Sequence, residues 1–571
     1  MENNEVAKVL YEIADYLELQ GVSFKPQAYR RAASMIESLD RNIDEYHRTN
    51  NLRDIPGIGQ AIADKVSELI STGKLGYLDK LKAETPPGIL ELLSIPDIGP
   101  KKAMVLFKEL GIQSIEDLKS AIFDHKLQGL KGFGAKTEDR ILQGIRVVES
   151  RGGRSFLAEA YKAAEELIVQ LKEKHPDVRM SMAGSLRRMK ETIGDIDILA
   201  ASVASNGLMD AFVSLDGVES VLAKGETKSS VRLSRGMQVD LRVVPPNSWG
   251  AALQYFTGSK EHNVELRKLA ISKGMKVSEY GLFDRDTGQE IAAADEEEVY
   301  GKLGLQFIPP ELRECRGEME AASRNALPEL LGYDDLRGDL HCHTEWSDAS
   351  GTIEEVWQKA KSLGYEYLAV TDHSQSLKVA NGLSEGRLLE QIREVKMLRD
   401  RLGPPWLLSG SEVDILGDGT LDYPRKVLDE LDFAVMSVHS KFKMDEKAMT
   451  ERILSGLSDD KVKVFAHPTG RLIGQRASYT FDFEKVALAA KDSGIALEIN
   501  SFPERLDLND LNVKRAIEIG ARISIDSDAH SPDQMELVKY GIATARRGWA
   551  KRTDVINAMS LADLKKEWDI S

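Results

Sequence analysis

AGSLRRMKETIGDIDIL, residues 183–199, decides how the middle of this 571-residue chain is read. Asp195 and Asp197 flank Ile196, so in a strand both carboxylates share one face while the isoleucine turns to the other. Two acids held side by side ask for divalent cations. A third acid, Asp240 in MQVDLRVV (237–244), stands between Val239 and Leu241, and a carboxylate among apolar neighbours needs a partner or a metal. Three carboxylates can hold two Mg²⁺ or Mn²⁺ ions, one lowering the pKa of an attacking hydroxyl and the other neutralising a triphosphate and its leaving oxygen. Gly184 would let the backbone approach a phosphate closely, and Ser185 and Arg188 could hold it. The pattern is that of nucleotidyl-transfer chemistry in an α+β domain.

On the N-terminal side, residues 1–150 alternate short amphipathic stretches with Gly-containing turns and show almost no β-type alternation, which predicts a helical region. Strand-like runs begin near 178 with VRMSMAGS, and Pro309, Pro310 and Pro328 mark a connector over 309–335 with room for one helix. Beyond it come seven short apolar runs, LRGDLH, YEYLAVTD, PWLLSGSE, FAVMSVH, KVKVFAH, IALEIN and RISIDSD, each followed by a helical stretch. Strands alternating with helices in this way predict a parallel sheet, closed into a (β/α)7 barrel that leaves no edge exposed. The chain divides on this reading into 1–82, 83–150, 151–245, 246–316, a linker at 317–335 and the barrel at 336–571.

With 92 acidic against 76 basic side chains the formal charge is −16, and 42% hydrophobic with 29% charged residues excludes a wholly disordered or collagen-like chain. No run approaches the roughly 18 apolar residues of a membrane span, and the opening MENNEVAKVL is acidic and polar, so neither membrane nor secretion is indicated. Cys315 and Cys342 are too few for a disulfide framework, which suits a reducing cytoplasm. At first sight the acidity argues against a nucleic-acid partner.

His341, His343, His373, His439, His467 and His530 each stand at or just past the end of one of the seven apolar runs, and Asp348, Glu412 and Asp528 come from the same ends. Active sites of such barrels are built there. His341 alternates with His343 and Asp528 with His530, so each pair shares a face. Imidazole and carboxylate donors together suit Zn²⁺, Mn²⁺ or Fe²⁺ better than Ca²⁺, and nine donors exceed the needs of one tetrahedral ion. A cluster of two or three ions is expected.

Three segments in the helical region share a turn: IPGIG (55–59, with Gly57 and Gly59), IPDIGPKKA (95–103, with Gly99, Lys101 and Lys102) and LKGFGAKT (130–137, with Gly132, Gly134 and Lys136). Glycine lets backbone N–H groups face outward at a helix start, a natural seat for a phosphate. Backbone amides and helix dipoles supply positive potential that a count of Lys and Arg never records. The acidic total is therefore no bar to DNA.

These turns resemble helix-hairpin-helix motifs, which grip the DNA backbone without reading sequence. YFTGSKEHNVELRKLAISKGMKVSEYGLF (255–283) resembles the nucleotide-selecting segment of family X DNA polymerases. That likeness implies Asp195, Asp197 and Asp240 as catalytic acids and Ser185 and Arg188 as triphosphate contacts. It further implies that Tyr255, Phe256 and Gly258 line the sugar pocket, that Asn263 meets the incoming base, and that Arg267, four residues along the same helix face, reaches the template side. Gln238 departs from the family, standing where relatives carry an Arg that pairs with the catalytic acids, and Lys260 replaces an Asp beside the nucleotide. GVSFKPQAYRRAASMIESL (21–39), with the first turn, is similar to the small domain that binds the 5′ phosphate of gapped DNA. The likeness puts Lys25, Tyr29 and Arg30 at phosphate-binding positions and Lys65 at the Schiff-base lysine of a 5′-deoxyribose phosphate lyase, while Ala61 and Tyr77 occupy two other lysine positions.

The pattern HxH…D…TDH…E…H…AHP…DxH over about 336–571 resembles the polymerase and histidinol phosphatase (PHP) domain. Members of that family use a trinuclear cluster to hydrolyse phosphoesters; Asp348 stands where some carry His, and Arg471 and Arg505, in loops after barrel strands, are candidates to hold a substrate phosphate. Together the resemblances imply a DNA polymerase filling short gaps in base excision repair, with a PHP-domain 3′–5′ exonuclease and cleavage at abasic sites. They imply gapped or primer-template DNA and dNTPs as partners, with a cytoplasmic monomer as the simplest state. Two other classes compete: a small-molecule phosphatase whose N-terminal half binds DNA, and a non-enzymatic repair scaffold. Three acids in register speak against the first, and nine ligand positions against the second.

Overall fold

The computed structural model describes residues 3–19, 22, 25–37, 43–49, 51–55, 58–84, 92, 95, 98, 100–124, 126–130, 133–134, 137–138, 141, 145, 154–203, 206–233 and 236–570. The chain forms two compact units, Met1–Gly153 and Arg154–Ser571. No helix among the described residues is long and apolar enough to cross a membrane.

In the first unit every extended element described is a helix, among them Asn3–Leu19, Lys25–Glu37, Gln60–Thr72, Pro100–Leu110 and Ile115–Phe123. Gln60–Thr72 shows why. Ile62, Ala63, Val66 and Leu69 are buried at spacings that line one helix face. The helix ends on Gly73, at φ 68°, whose N–H donates to the Leu69 carbonyl; this left-handed ending suits a residue without Cβ. Ile115–Phe123 starts instead from Ser114, whose side chain accepts a hydrogen bond from the N–H of Asp117. Val6, Leu10, Ile36 and Val66 belong to one apolar core, and Leu106, Leu118, Phe133 and Ile141 to another.

The second unit opens with a five-stranded sheet in the order Arg179–Met182, Asp195–Ala201, Gln238–Val244, Lys228–Leu233, Val218–Lys224. The two acid-bearing strands run parallel with Asp197 opposite Asp240. Leu157–Lys174 and Asn206–Val213 supply Leu167, Leu208 and Phe212 to the core beneath Ile196 and Leu241. Helices Trp249–Thr257 and Lys260–Ser272 follow, with a small sheet of Met275–Ser278, Gly281–Asp284 and Glu290–Ala292. Gly250 is needed here, because a Cβ would overlap the main chain of Asp295. Over the connector the chain forms the helix Glu318–Ser323, and Leu327 and Leu331 are buried.

Beyond the connector, Gly338–Asp339, Tyr367–Val370 and Trp406–Ser409 form one parallel sheet. Glu412–Asp414, Ala434–Ser437, Val462–Phe465, Ala496–Asn500 and Ile523–Asp526 form a second. Bridges between His373 and Glu412 and between Cys342 and Ala529 join the two along both seams. Since 406–414 contributes to both sheets, the staves close in chain order as the (β/α)7 barrel expected from the apolar runs. Tyr367–Val370 is buried throughout, as a strand covered on both faces must be. The barrel also shares a core with the palm: Leu506, Tyr540 and Ala543 pack with Leu157, Ile196 and Leu241.

Candidate active sites

The parallel register that sets Asp197 against Asp240 builds the first site. Along the strand, Asp195 is exposed, Ile196 buried and Asp197 half-buried, as alternation requires. Burial, then the neighbouring charges of Asp195 and Asp240, push the Asp197 carboxyl up to about 6. Burial would push Asp240 up as well, but hydrogen bonds from Lys228, Ser230 and Gln238 outweigh it and leave that carboxyl below its ordinary value. Gln238 Nε2 donates to Asp240 Oδ1 at 3.0 Å, and Lys228 Nζ lies 2.5 Å from Asp240 Oδ2. So Gln238 keeps a polar hold on an acid without the charge an Arg would bring. Lys228 is a partner that sequence reasoning missed; it stands opposite Arg242, two residues from Ser230, which faces Asp240, and reaches the acid diagonally across the strand pair.

Gly184 has φ +59°, and a Cβ there would overlap Asp197 Oδ2. The turn Gly184–Arg187 thus rests directly against the acids. Arg188, expected at the triphosphate, is nearly buried and already engaged: Nη1 donates to the Thr257 carbonyl at 2.6 Å and Nε to Glu314 Oε1 at 3.0 Å. Its guanidinium also lies against Gly258, 3.1 Å from where a Cβ would stand. Tyr255 and Phe256 meet edge to face, with the Arg242 guanidinium 4.6 Å above the Phe256 ring. Asn263 is fixed from both sides, accepting from Gln254 Nε2 at 2.8 Å and donating to the Tyr255 carbonyl at 2.7 Å. One of its amide hydrogens stays available. Arg267 Nε donates to the Asn263 carbonyl at 3.2 Å.

The barrel gathers all nine expected ligands. His343, Asp348, His373 and His530 form one group whose donor atoms lie within 4.8 Å of one another, as do His341, His343 and Asp528, and His373, Glu412 and His439. His467 joins through Nε2, 3.0 Å from Glu412 Oε1. His373 Nδ1 stands 2.6 Å from Glu412 Oε2, and His343 Nδ1 and His467 Nδ1 are buried with no hydrogen-bond partner; buried imidazole and carboxylate donors crowded together in this way fit a metal cluster. Burial would raise the Glu412 and Asp528 carboxyls, yet the surrounding imidazoles hold both well below their ordinary range. Burial and Arg505 push His467 down to about 4. These are the protonation states that metal coordination requires, whereas for His341 and His373 burial is outweighed by neighbouring carboxylates, led by Glu498 and Glu412 respectively, which push both imidazoles up, His373 to about 9, so a cation bound there would displace protons.

A second ring of residues orients these ligands. Glu498 faces His341 Nδ1 at 2.6 Å and accepts from the His467 N–H at 2.6 Å. Asp414 faces His439 Nδ1 at 2.9 Å, and Asn500 Nδ2 donates to Asp528 Oδ2 at 2.8 Å. Such partners fix tautomer and ring orientation. Sequence reasoning missed them, although Asp414 shares a strand face with Glu412 and Glu498 sits inside IALEIN. The structure separates the two arginines. Arg505 Nε lies 3.8 Å from Asp528 Oδ2, and its buried Nη1 has no partner. Arg471 instead reaches the palm, donating to Glu191 Oε2 at 2.7 Å and to the Leu506 carbonyl at 2.5 Å. Its Nη2 is spent on these internal contacts, while its buried Nε, like Arg505 Nη1, has no partner.

In the helical unit the three turns share one local bond: Ile58 N–H to the Ile55 carbonyl, Ile98 to Ile95, and Phe133 to Leu130, at 3.1, 3.0 and 3.1 Å. Gly59 precedes Gln60–Thr72 without any side-chain cap and, like Gly134, has open space around it. Gly57, Gly99, Gly132 and Lys136 lie outside the described residues, as does the side chain of Lys101; Lys102 is half-buried on Pro100–Leu110. Lys25 is exposed at the start of its helix, Tyr29 is buried and Arg30 half-buried. Lys65 Nζ donates to the Ala61 carbonyl at 3.1 Å and lies 4.6 Å over the Tyr77 ring. Burial, then Tyr77, push the Tyr29 phenol up to about 12.

Family models match four stretches of the chain: a helix-hairpin-helix domain at 1–75, a SAM-like helix-hairpin-helix tandem at 89–146, a DNA polymerase beta thumb at 252–314 and a PHP domain at 339–501. The DNA polymerase/3′-5′ exonuclease PolX of Bacillus subtilis (strain 168) is 39% identical over 568 residues, 99% of each chain. DNA polymerase lambda of Rattus norvegicus is 26% identical over 341 residues, 55% of this chain and 56% of its own. DNA polymerase lambda of Arabidopsis thaliana is 25% identical over 345 residues, 54% and 62% respectively.

Proposed function

The chain belongs to the family X DNA polymerases that carry a C-terminal PHP domain, and from that membership we propose that Asp195, Asp197 and Asp240 add nucleotides to the DNA 3′ end that the barrel's histidine cluster trims. It is a DNA polymerase with a 3′–5′ exonuclease. The observation that carries the polymerase assignment is the parallel register placing Asp197 beside Asp240, since three convergent acids serve no purpose in a scaffold. Divalent ions, when bound, supply the lowered pKa of the 3′ hydroxyl and the charge neutralisation on the triphosphate. Asp195, Asp197 and Asp240 hold them, with Mg²⁺ or Mn²⁺ as the ions of choice.

The residues of the chain do the rest. Gly184 and Ser185 present backbone and hydroxyl to the triphosphate, and Arg188 lends its charge from behind Gly258. Tyr255 and Phe256 wall the sugar, and Asn263, pinned by Gln254 and the Tyr255 carbonyl, turns its remaining amide hydrogen to the base. Helix-hairpin-helix turns hold the DNA backbone through open amides such as those after Gly59. Short-gap filling in base excision repair, in the cytoplasm, is the setting.

In the barrel, His341, His343, Asp348, His373, Glu412, His439, His467, Asp528 and His530 hold two or three ions of Mn²⁺, Zn²⁺ or Fe²⁺. Arg505, with its unpartnered Nη1, binds the scissile phosphate, and abasic-site cleavage would use the same groups. The test is Glu412→Gln, assayed for metal content and 3′-end degradation. Loss of bound metal and of degradation, with gap filling retained, supports the assignment; parental degradation refutes it.

A further inference from the structure

On the barrel's helix Val538–Arg547, Tyr540, Ala543 and Arg547 recur at helical spacing and face the palm. Tyr540 and Ala543 enter the palm core, and Tyr540 meets Tyr161 edge to face with ring centroids 6.2 Å apart. Arg547 is 5% exposed and spreads its donors over the barrel, the palm and the segment that follows it. Nε and Nη2 hold Asp510 Oδ2 of the barrel at 3.1 and 2.8 Å, a carboxylate that also accepts from Arg316 Nη1 at 2.8 Å. Nη1 donates to the main-chain carbonyl of Arg188 at 2.6 Å and to Glu314 Oε1 at 3.0 Å. Glu314 Oε1 is the same oxygen that accepts from Arg188 Nε at 3.0 Å.

We propose that Arg547, a residue of the PHP barrel, is a positioning residue for nucleotide binding by the polymerase, bracing the Gly184–Arg188 turn through the Arg188 carbonyl and Glu314. The proposal rests on the placement of the triphosphate at that turn. Two features set this contact apart from ordinary domain glue. The bond to the Arg188 carbonyl fixes the main chain that ends the Gly184–Arg187 turn, and a turn held to within a fraction of an ångström is what a phosphate seat needs. The bond to Glu314 shares that carboxylate's charge between two guanidinium groups. With Arg547 removed, Glu314 is left with Arg188 as its side-chain hydrogen-bond partner and draws its charge away from an incoming phosphate. A planar guanidinium can reach Arg188, Glu314 and Asp510 together, whereas a single ammonium cannot.

The experiment is steady-state filling of a one-nucleotide gap by the full-length protein with Arg547→Gln and Arg547→Lys, alongside exonuclease activity as the measure of an intact barrel. Both variants should raise KM for dNTP on the order of tenfold, the usual effect of losing a charged hydrogen bond, while kcat changes by less than about threefold and 3′-end degradation stays at the parental rate. Adding Glu314→Gln to Arg547→Gln should recover most of the lost affinity, because the unshared charge is then gone; a merely structural contact would give additive damage instead. Arg188→Ala separates the two levels. If it leaves KM for dNTP unchanged, the placement of the triphosphate is wrong. If it raises KM and neither Arg547 variant does, the brace is wrong. If Arg547→Gln loses exonuclease activity too, Arg547→Lys decides, and parental KM in that variant overturns the proposal.

Discussion

Gly184→Ala is the sharpest perturbation of the polymerase site that the structure offers. A Cβ at 184 would overlap Asp197 Oδ2 and stand 3.1 Å from the carboxylate carbon. Ordinary carbon–oxygen and carbon–carbon contacts lie near 3.5 Å or beyond, so the carboxylate must retreat by on the order of 1 Å. The φ of +59° at this position adds about 1–2 kcal/mol of backbone strain for alanine. A misplacement of about 1 Å in a group that holds a catalytic ion lowers rate by roughly 10²-fold. The predicted outcome is a folded protein, slightly less stable, whose gap-filling kcat falls by about that factor while 3′-end degradation is parental. Melting temperature, single-turnover incorporation and exonuclease assays on one preparation check it. Incorporation within a few-fold of the parent would refute the close packing of the turn against Asp197.

The raised Asp197 pKa of about 6 carries a pH prediction. A carboxyl whose folded pKa lies above its unfolded value favours the folded state most at low pH and loses that advantage as pH rises through 6, yet it must be ionised to hold a cation. Mg²⁺-dependent incorporation should therefore fall as pH drops below about 6, and Mg²⁺ should raise the melting temperature more at pH 7.5 than at pH 5.5; a flat incorporation profile across that window contradicts the assignment. Arg505→Gln should slow 3′-end degradation by roughly 10–100-fold, the range for a charge-assisted hydrogen bond, with metal content unchanged, and parental degradation would return Arg505 to a structural role. Lys65→Ala should abolish any adduct trapped by borohydride on abasic DNA, and a parental protein that forms no adduct removes the lyase activity altogether.

Both candidate metal centres were legible because their chemistry is written at strand spacing. Asp195-Ile196-Asp197 and His341-Cys342-His343 alternate at strand spacing, and six of the seven apolar runs delivered a ligand to the barrel mouth, while IALEIN supplies Glu498 behind His341. Most partners were not legible, because they come from another strand or from far along the chain. Lys228 reaches Asp240 across a strand pair, Glu498 reaches His341 over 157 residues of sequence, and Arg547 reaches the Arg188 carbonyl over 359. No local pattern records such pairings. Arg471 shows the converse: a position in a loop after a barrel strand pointed toward substrate, while the fold turns the side chain to Glu191.

The central claim, two metal centres in one chain with separable reactions, is tested most directly by crossing two double variants in one assay. Asp195→Ala with Asp197→Ala should end dNTP incorporation at a one-nucleotide gap and leave Mn²⁺-dependent degradation of 3′ ends intact, and His341→Ala with His343→Ala should do the reverse. Degradation at the parental rate in the histidine variant, or incorporation at the parental rate in the aspartate variant, would contradict the account.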